Sequence, residues 1–299
     1  MLNYFPNFER LSPEQKAEVD LILSLYLPHS DFNFVGLYDY DVGNDKAICR
    51  FEEGLAFLLN DYITHKKFLS FIGHQRVDEK ISMLLEYSRN NYYTDTLKLV
   101  PETIVQNIKE VKGFNIKEDP DNFDYIIDVQ DLIDLRGRKW HEVRKEINHF
   151  ASHYKYDFLP LDLGKPHIQK EVEQLFFHWK EQNPDNSDTD TEFEATKRHL
   201  TFSTDPNCLS FGLYVGNRMI GYSMNQIVHS NYYIGHFGKT DNNFRGASRT
   251  LEHECAKFFK QKGCTFMNLE QDMGLQGLRK MKQSLNPTMY AKKYDIKLG

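Results

Sequence analysis

Residues 209–228 read LSFGLYV, Gly216-Asn217, RMIGYSMNQIV: two runs rich in β-branched and aromatic side chains that meet at a two-residue turn, which predicts a β-hairpin. A third such run, NYYIGHFGK (231–239), follows. After it come an amphipathic stretch that ends at Gly263, RTLEHECAKFFKQKG, then an apolar run opening CTFMNLEQD (264–272), then a second amphipathic stretch, GLQGLRKMKQSL (274–285). A hairpin leading into strand, helix, strand and helix has few ways to bury its apolar faces. The strand after the first helix returns to the same sheet, and the result is a mixed sheet covered by helices.

The first half repeats this order loosely. Ser12-Pro-Glu-Gln15 reads as a helix start, with Ser12 as cap and Gln15 completing a capping box. FNFVGLYDYD, KAICRFEEG and LAFLLN, between Phe32 and Asn60, read as a meander of antiparallel strands. Residues 76–90 and 101–112 read as helices, the second closed by Gly113, and FDYIIDV (123–129) as a buried strand. In LRGRKWHEVRKEINHFASHY (135–154), Trp140, Val143, Ile147, Phe150 and Tyr154 fall on one helical face. The Pro and Gly of FLPLDLGKP suggest a linker at 158–166 between domains 1–157 and 167–299. Helices over 167–181 and 191–201 flank a polar loop, EQNPDNSDTDTE. The fold class expected is α/β (α+β), two domains each built on a mixed sheet flanked by helices.

Composition limits what such a chain does. In 299 residues, 40% are hydrophobic and 27% charged, enough apolar material for two cores. A net charge of −6 argues against a general nucleic-acid-coating protein and leaves room for a local basic patch. Cys49, Cys208, Cys255 and Cys264 form no CxxC pair and no zinc spacing, so no metal is expected and a reducing compartment fits. The start carries no secretory leader pattern and no apolar run reaches spanning length, so a soluble, cytoplasmic protein is expected.

Three stretches carry candidate chemistry. If 264–272 is one strand, Asn268, Glu270 and Asp272 share a face at its carboxyl end, where α/β sheets collect ligands. Glu270 and Asp272 could there hold an ammonium group or take a proton from an amine. The helix after Gly274 and Gly277 buries Leu275, Leu278, Met281 and Leu285, and its flank bears Arg279, Lys280 and Lys282, suited to a phosphate or carboxylate. In NFRGASRT (243–250), Arg245, Gly246 and Arg249 sit at a helix start where acetyltransferase-type folds hold a pyrophosphate; a plain helix cap accounts for the same residues. Arg138, Lys139, Arg144 and Lys145 line a basic helix that fits a tRNA or another anion, and equally a solvated face. GxSxG, HExxH, GxGxxG and GxxxxGK[ST] motifs do not occur.

Taken together, Asn268, Glu270-x-Asp272-x-Gly274, Gly277-Leu278-Arg279-Lys280-x-Lys282-x-Ser284, Pro287 and Lys293-Tyr294 resemble the closing signature of the phosphatidylglycerol lysyltransferase C-terminal domain family. DLRGRKWHEVRKEINHF and FRGAS are similar to earlier segments of that family. Leu269, Leu285 and Gly238 depart from it, where an Arg, a Tyr and an acid are usual. The resemblance implies two tandem GNAT-like domains and a transferase moving an acyl or aminoacyl group, from aminoacyl-tRNA, onto an amine or hydroxyl of a small-molecule or peptide acceptor. It implies Glu270 and Asp272 as catalytic groups, Asn268, Arg279, Lys280 and Lys282 around the substrate, and Lys239, Arg245 and Gly246 on the donor side. No cofactor is required on this reading. A coenzyme A thioester as donor is one alternative, and a catalytically silent binding module, favoured by the three departures, is another.

Overall fold

The computed structural model describes residues 1–61, 64–109, 113–184, 189–229 and 231–299. The first half runs β1 (Glu9–Arg10), α1 (Lys16–Leu23), α2 (Phe34–Asp39), β2 (Ala47–Arg50), β3 (Leu55–Asn60), β4 (Lys67–Ile72), α3 (Val77–Asn90), β5 (Thr96–Pro101), α4 (Glu102–Val105), β6 (Phe114–Glu118). It continues with β7 (Asp124–Asp128), α5 (Val129–Asp134), α6 (His141–His153), β8 (Tyr156–Leu161), α7 (Pro166–Gln182) and α8 (Thr189–His199). The remainder is β9 (Cys208–Val215), β10 (Arg218–His229), β11 (Tyr232–Thr240), α9 (Ala247–Gln261), β12 (Phe266–Asn268), α10 (Gln276–Gln283), β13 (Met289–Ala291) and β14 (Lys293–Leu298). These form two compact units, one of Met1–Asp124, Gln271–Gly274 and Tyr290–Gly299, the other of Tyr125–Glu270 and Leu275–Met289. Both are mixed α/β, the fold class expected.

Three readings of the sequence need correction. FNFVGLYDYD is helical over α2, because Asn33 takes an extended backbone and its Oδ1 accepts the Gly36 N–H at 2.9 Å, a cap that outweighs the local β propensity. Within 101–112 only α4 is helical among the described residues; 110–112 lie outside them, as do 185–188 of the polar loop. The supposed linker at 158–166 opens inside β8, an edge strand paired antiparallel with β9, and the chain changes unit at Asp124 instead. Pro160 is tolerated there because an edge strand has a side that bonds no neighbour.

In the first unit β1 to β4 form an antiparallel sheet in sequence order, and β14 pairs antiparallel with both β5 and β6. The helix α3 carries the chain from β4 to β5, whose approach begins where the Thr94 N–H donates to the Lys67 carbonyl at 3.0 Å. In the second unit the sheet order is β13-β7-β12-β11-β10-β9-β8. β9, β10 and β11 are antiparallel, α9 crosses over, and β12 returns parallel to β11. Trp140, Val143, Ile147 and Phe150 of α6 and Leu251, Cys255 and Phe259 of α9 are buried with Phe211, Leu213, Ile220 and Tyr233 of the sheet. Phe259 stacks on Tyr233 with ring centroids 4.0 Å apart; burying one such ring contributes about 2–3 kcal/mol.

Candidate active site

The second unit's sheet opens between β11 and β12. β11 and β12 are paired only from Tyr232↔Phe266 to Ile234↔Asn268. Beyond that point β11 stays with β10, while the other chain turns to β7: the Leu269 N–H donates to the Tyr125 carbonyl at 2.9 Å and the Tyr125 N–H to the Glu270 carbonyl at 3.3 Å. The strand therefore ends at Asn268, short of the Asp272 that the sequence suggested. Asn268 is fully buried, and its Oδ1 accepts the Glu270 N–H at 2.7 Å, which turns Glu270 into the left-handed region at φ +59°. A bulky residue held there marks stored strain, a feature that clusters at functional positions.

This turn aims the Glu270 side chain back at β11. Its Oε1 lies 3.1 Å from Nδ1 of His236, and the side chain keeps 21% of its surface exposed. His236 is the extra residue of a β-bulge: the register with β10 steps from Met224↔Phe237 to Asn225↔Gly235, leaving His236 without a ladder partner. Its ring is buried to 1% exposure, with Nε2 3.2 Å from Oε1 of the buried Gln226. From α10, the buried Lys282 ammonium donates to the Leu269 carbonyl at 2.6 Å and fixes the turn from the far side. The sequence reading missed His236, although Gly235 and Gly238 on either side of it are the kind of strand glycines that accompany a bulge.

The other expected residues are distributed as follows. Asp272 belongs to the first unit, where it is fully buried and Oδ1 accepts the Gly274 N–H at 2.8 Å. Arg279 is half-buried on α10 and Lys280 exposed. At the two ends of that helix, Leu275 is 49% exposed and Leu285 fully buried. Lys239 pairs with Glu192 at 2.6 Å and lies 4.0 Å above the Trp179 ring. Gly246, at φ +87°, lets the α9 start approach α6: a Cβ there would lie 2.2 Å from the Glu146 carbonyl oxygen. Arg249 pairs with Glu252 on its own helix (2.8 Å) and reaches Glu146 of α6 (3.6 Å) and Ser284 Oγ at the end of α10 (2.5 Å).

The basic helix α6 presents an open surface groove of about 540 Å³ lined by His141, Arg144, Lys145, Asn148, His149 and Ser152. Arg144 holds the preceding turn through the Leu135 and Gly137 carbonyls, Lys139 pairs with Asp131 at 3.0 Å, and Lys145 stands 3.7 Å from Glu142. Arg138 and Arg245 are exposed. Slight burial, His153 and the Arg245 charge together hold His149 below the usual imidazole range.

In the loops before α9 and α3 the chain's own side chains accept some of the backbone amides. Before α9, Oδ1 of the fully buried Asp241 accepts the Asn243 N–H at 3.0 Å, and the Asn242 N–H donates to Gln182 at 2.9 Å. Burial pushes Asp241 up, yet the Gln182 and Asn243 bonds with the His178 and Arg218 charges hold it below the usual carboxylate range. Before α3, Glu53 accepts the His74 N–H at 2.9 Å and the Gln75 N–H at 3.2 Å, and it also binds the Tyr26 hydroxyl and the buried Lys80 ammonium.

A profile of the family described as phosphatidylglycerol lysyltransferase, C-terminal, matches residues 44–297. The chain belongs to that family. In this lysyltransferase C-terminal family member, the closing signature falls on the turn after β12, on α10 and at the start of β14. No curated protein matches the sequence. Among solved structures, a conserved protein of unknown function from Bacteroides thetaiotaomicron VPI-5482 is 20% identical, each chain covering 100% of the other, with a TM-score of 0.86. L-PGS from Bacillus licheniformis is 12% identical, with 97% of this chain and 92% of that one covered and a TM-score of 0.64. FemX is 11% identical, with 97% and 96% covered and a TM-score of 0.64. Among the described residues no helix is long and apolar enough to cross a membrane, and no cluster of side chains suits a metal ion.

Proposed function

We propose that this chain is an aminoacyltransferase working at the β11–β12 opening of its second unit, with aminoacyl-tRNA as donor and an amine or hydroxyl of a small molecule or peptide as acceptor. The observation that carries the reading is the Glu270 carboxylate, pinned by its own backbone turn and by His236 yet open to solvent on one side. The acceptor nitrogen adds to the ester carbonyl carbon, Glu270 takes the proton that nitrogen loses, and it returns that proton to the ribose oxygen as the ester bond breaks. Such a transfer needs positioning and a base more than covalent help, and a placed base contributes about 10²–10⁴-fold. Arg279 and Lys280 on α10 supply positive charge, and the α6 groove, with Lys145 and Arg245, offers contacts to the donor's phosphates.

The amides already engaged in the loops before α9 and α3 favour this donor over a coenzyme A thioester. A pyrophosphate carrier would use the free amides before a crossover helix. Here Asp241 and Glu53 already bind amides in those two loops. Acetyl-coenzyme A is expected to give no thermal shift.

The deciding experiment is equilibrium binding of charged and uncharged bulk tRNA at low and moderate salt, with Glu270→Gln beside the natural chain. A preference for charged tRNA that survives salt, together with loss of transfer in Glu270→Gln at unchanged melting temperature, supports the reading. Equal binding that vanishes steeply with salt would be plain phosphate contact and would overturn it.

A further inference from the structure

We propose that His236 is the positioning residue of this site, fixing the Glu270 carboxylate for proton transfer by donating from Nδ1; the proposal rests on Glu270 being the base.

The backbone gives the first reason. A regular β11 would pair every residue with β10, and one ladder position would govern the direction of His236. The bulge removes that constraint at this one residue, at the point where β12 stops pairing with β11. A histidine on a bulge inside a closed ladder has no evident use; on a bulge beside an opening it reaches the group that stands there.

Proton accounting gives the second. An ionised carboxylate only accepts, so the 3.1 Å contact to Glu270 requires the proton on Nδ1. At the other side of the ring Nε2 lies 3.2 Å from Oε1 of Gln226: with that oxygen facing it the ring carries a proton on each nitrogen, and with the amide turned over Nε2 accepts and the proton sits on Nδ1 alone. The ring sits behind the carboxylate at 1% exposure while Glu270 is 21% exposed. Substrate therefore reaches Glu270 and not His236. Oε1 is held, and among the described residues Oε2 has no partner, which leaves it to meet the acceptor.

Replacement of the ring by different donors tests this, because a space-filling role and a donor role rank them oppositely. Asparagine places its amide nitrogen near the Nδ1 position, glutamine near Nε2, and leucine keeps volume without a donor. Transfer from aminoacyl-tRNA to a small primary amine is measured for each, with melting temperatures alongside. His236→Leu and His236→Gln are expected to lower kcat by roughly 10–100-fold with KM little changed, as loss of orientation does. His236→Asn is expected to stay within about fivefold of the natural chain, and Glu270→Gln with His236→Leu to be no slower than Glu270→Gln alone, since residues acting as a unit do not add. A His236→Leu chain as fast as the natural one, or better than His236→Asn, while Glu270→Gln is inactive, overturns the positioning role and leaves the proposed function standing. A fully active Glu270→Gln overturns both. Independently of turnover, the ¹⁵N spectrum of the His236 ring is expected to show a protonated Nδ1 that Glu270→Gln perturbs; an unprotonated Nδ1 in the natural chain sinks the proposal.

Discussion

At the scale of single residues, hydrogen bonds to buried charge set where stability resides. Glu53 illustrates it. One carboxylate satisfies two backbone amides, the Tyr26 hydroxyl and the Lys80 ammonium, of which Lys80 is only 5% exposed. Burial raises the Glu53 carboxyl, but the four bonds outweigh burial and hold it at about 2. A depressed carboxylate contributes stability that is present above its unfolded value near 4.5 and is lost as pH falls toward about 2. Glu53→Gln keeps the shape and removes the charge, leaving Lys80 buried without its counter-ion. The expected cost is about 2–4 kcal/mol at neutral pH, with a flatter acid limb below pH 4.5, both read by urea denaturation. A variant within 0.5 kcal/mol of the natural chain, about the tolerance of a surface change, would show the bonds to be idle.

At the scale of elements, packing decides more than pattern. Gly246→Ala adds a carbon that would meet the Glu146 carbonyl at 2.2 Å, from a backbone at φ +87° that resists a side chain in any case. The contact is backbone on one side, so α6 and α9 must move apart around Trp140, Phe150 and Leu251. A loss of about 2–4 kcal/mol is expected in the urea midpoint, and an unchanged midpoint would mean the helices are loosely held. Neighbouring elements show what a sequence can tell. The hairpin around Gly216-Asn217, the helices α6 and α9 and the return of β12 were legible because periodicity and turn chemistry there agree with the packing. α2 was not, since one asparagine cap reverses a run of good strand formers. Glu270 was legible as an acid near a strand end, but its turn was not: Asn268 competes for its amide, and a side chain bonding to backbone leaves no periodic trace. His236 depended on a register step that only the paired strand defines. Lys282, read from the sequence as a ligand for anions, is buried with its ammonium bonded to the Leu269 carbonyl.

At the scale of the whole molecule, the chain runs strand–helix–strand twice, as β4–α3–β5, whose strands lie in different sheets, and as β11–α9–β12, whose strands pair in parallel. β3 and β4 pair without interruption from Leu55↔Ile72 to Asn60↔Lys67, whereas β10 and β11 carry the bulge, so the proposed chemistry belongs to the second copy alone. The first unit depends on the chain's last strand. β14 is the common partner of β5 and β6, Ile296 is fully buried, and the fully buried Lys293 ammonium binds both Asp31 and Asp124, the latter at 2.6 Å. Burial alone would lower the lysine, but the two carboxylates outweigh it and keep it charged. A chain ending at Lys292 leaves the fully buried Asp124 and the partly buried Asp31 without this lysine's charge and two strands without their partner. Removing one member of such a pair costs about 3–5 kcal/mol before any strand is counted, comparable with the whole stability of a domain. The first unit is therefore expected not to fold in the shortened chain. Trp140 and Trp179, the chain's two tryptophans, both lie in the second unit, so their native emission is expected to persist while the far-ultraviolet circular dichroism falls well below that of the full chain. A native dichroism spectrum from the shortened chain would show that β14 is dispensable, and an emission that collapses with it would show that the second unit does not stand without the first.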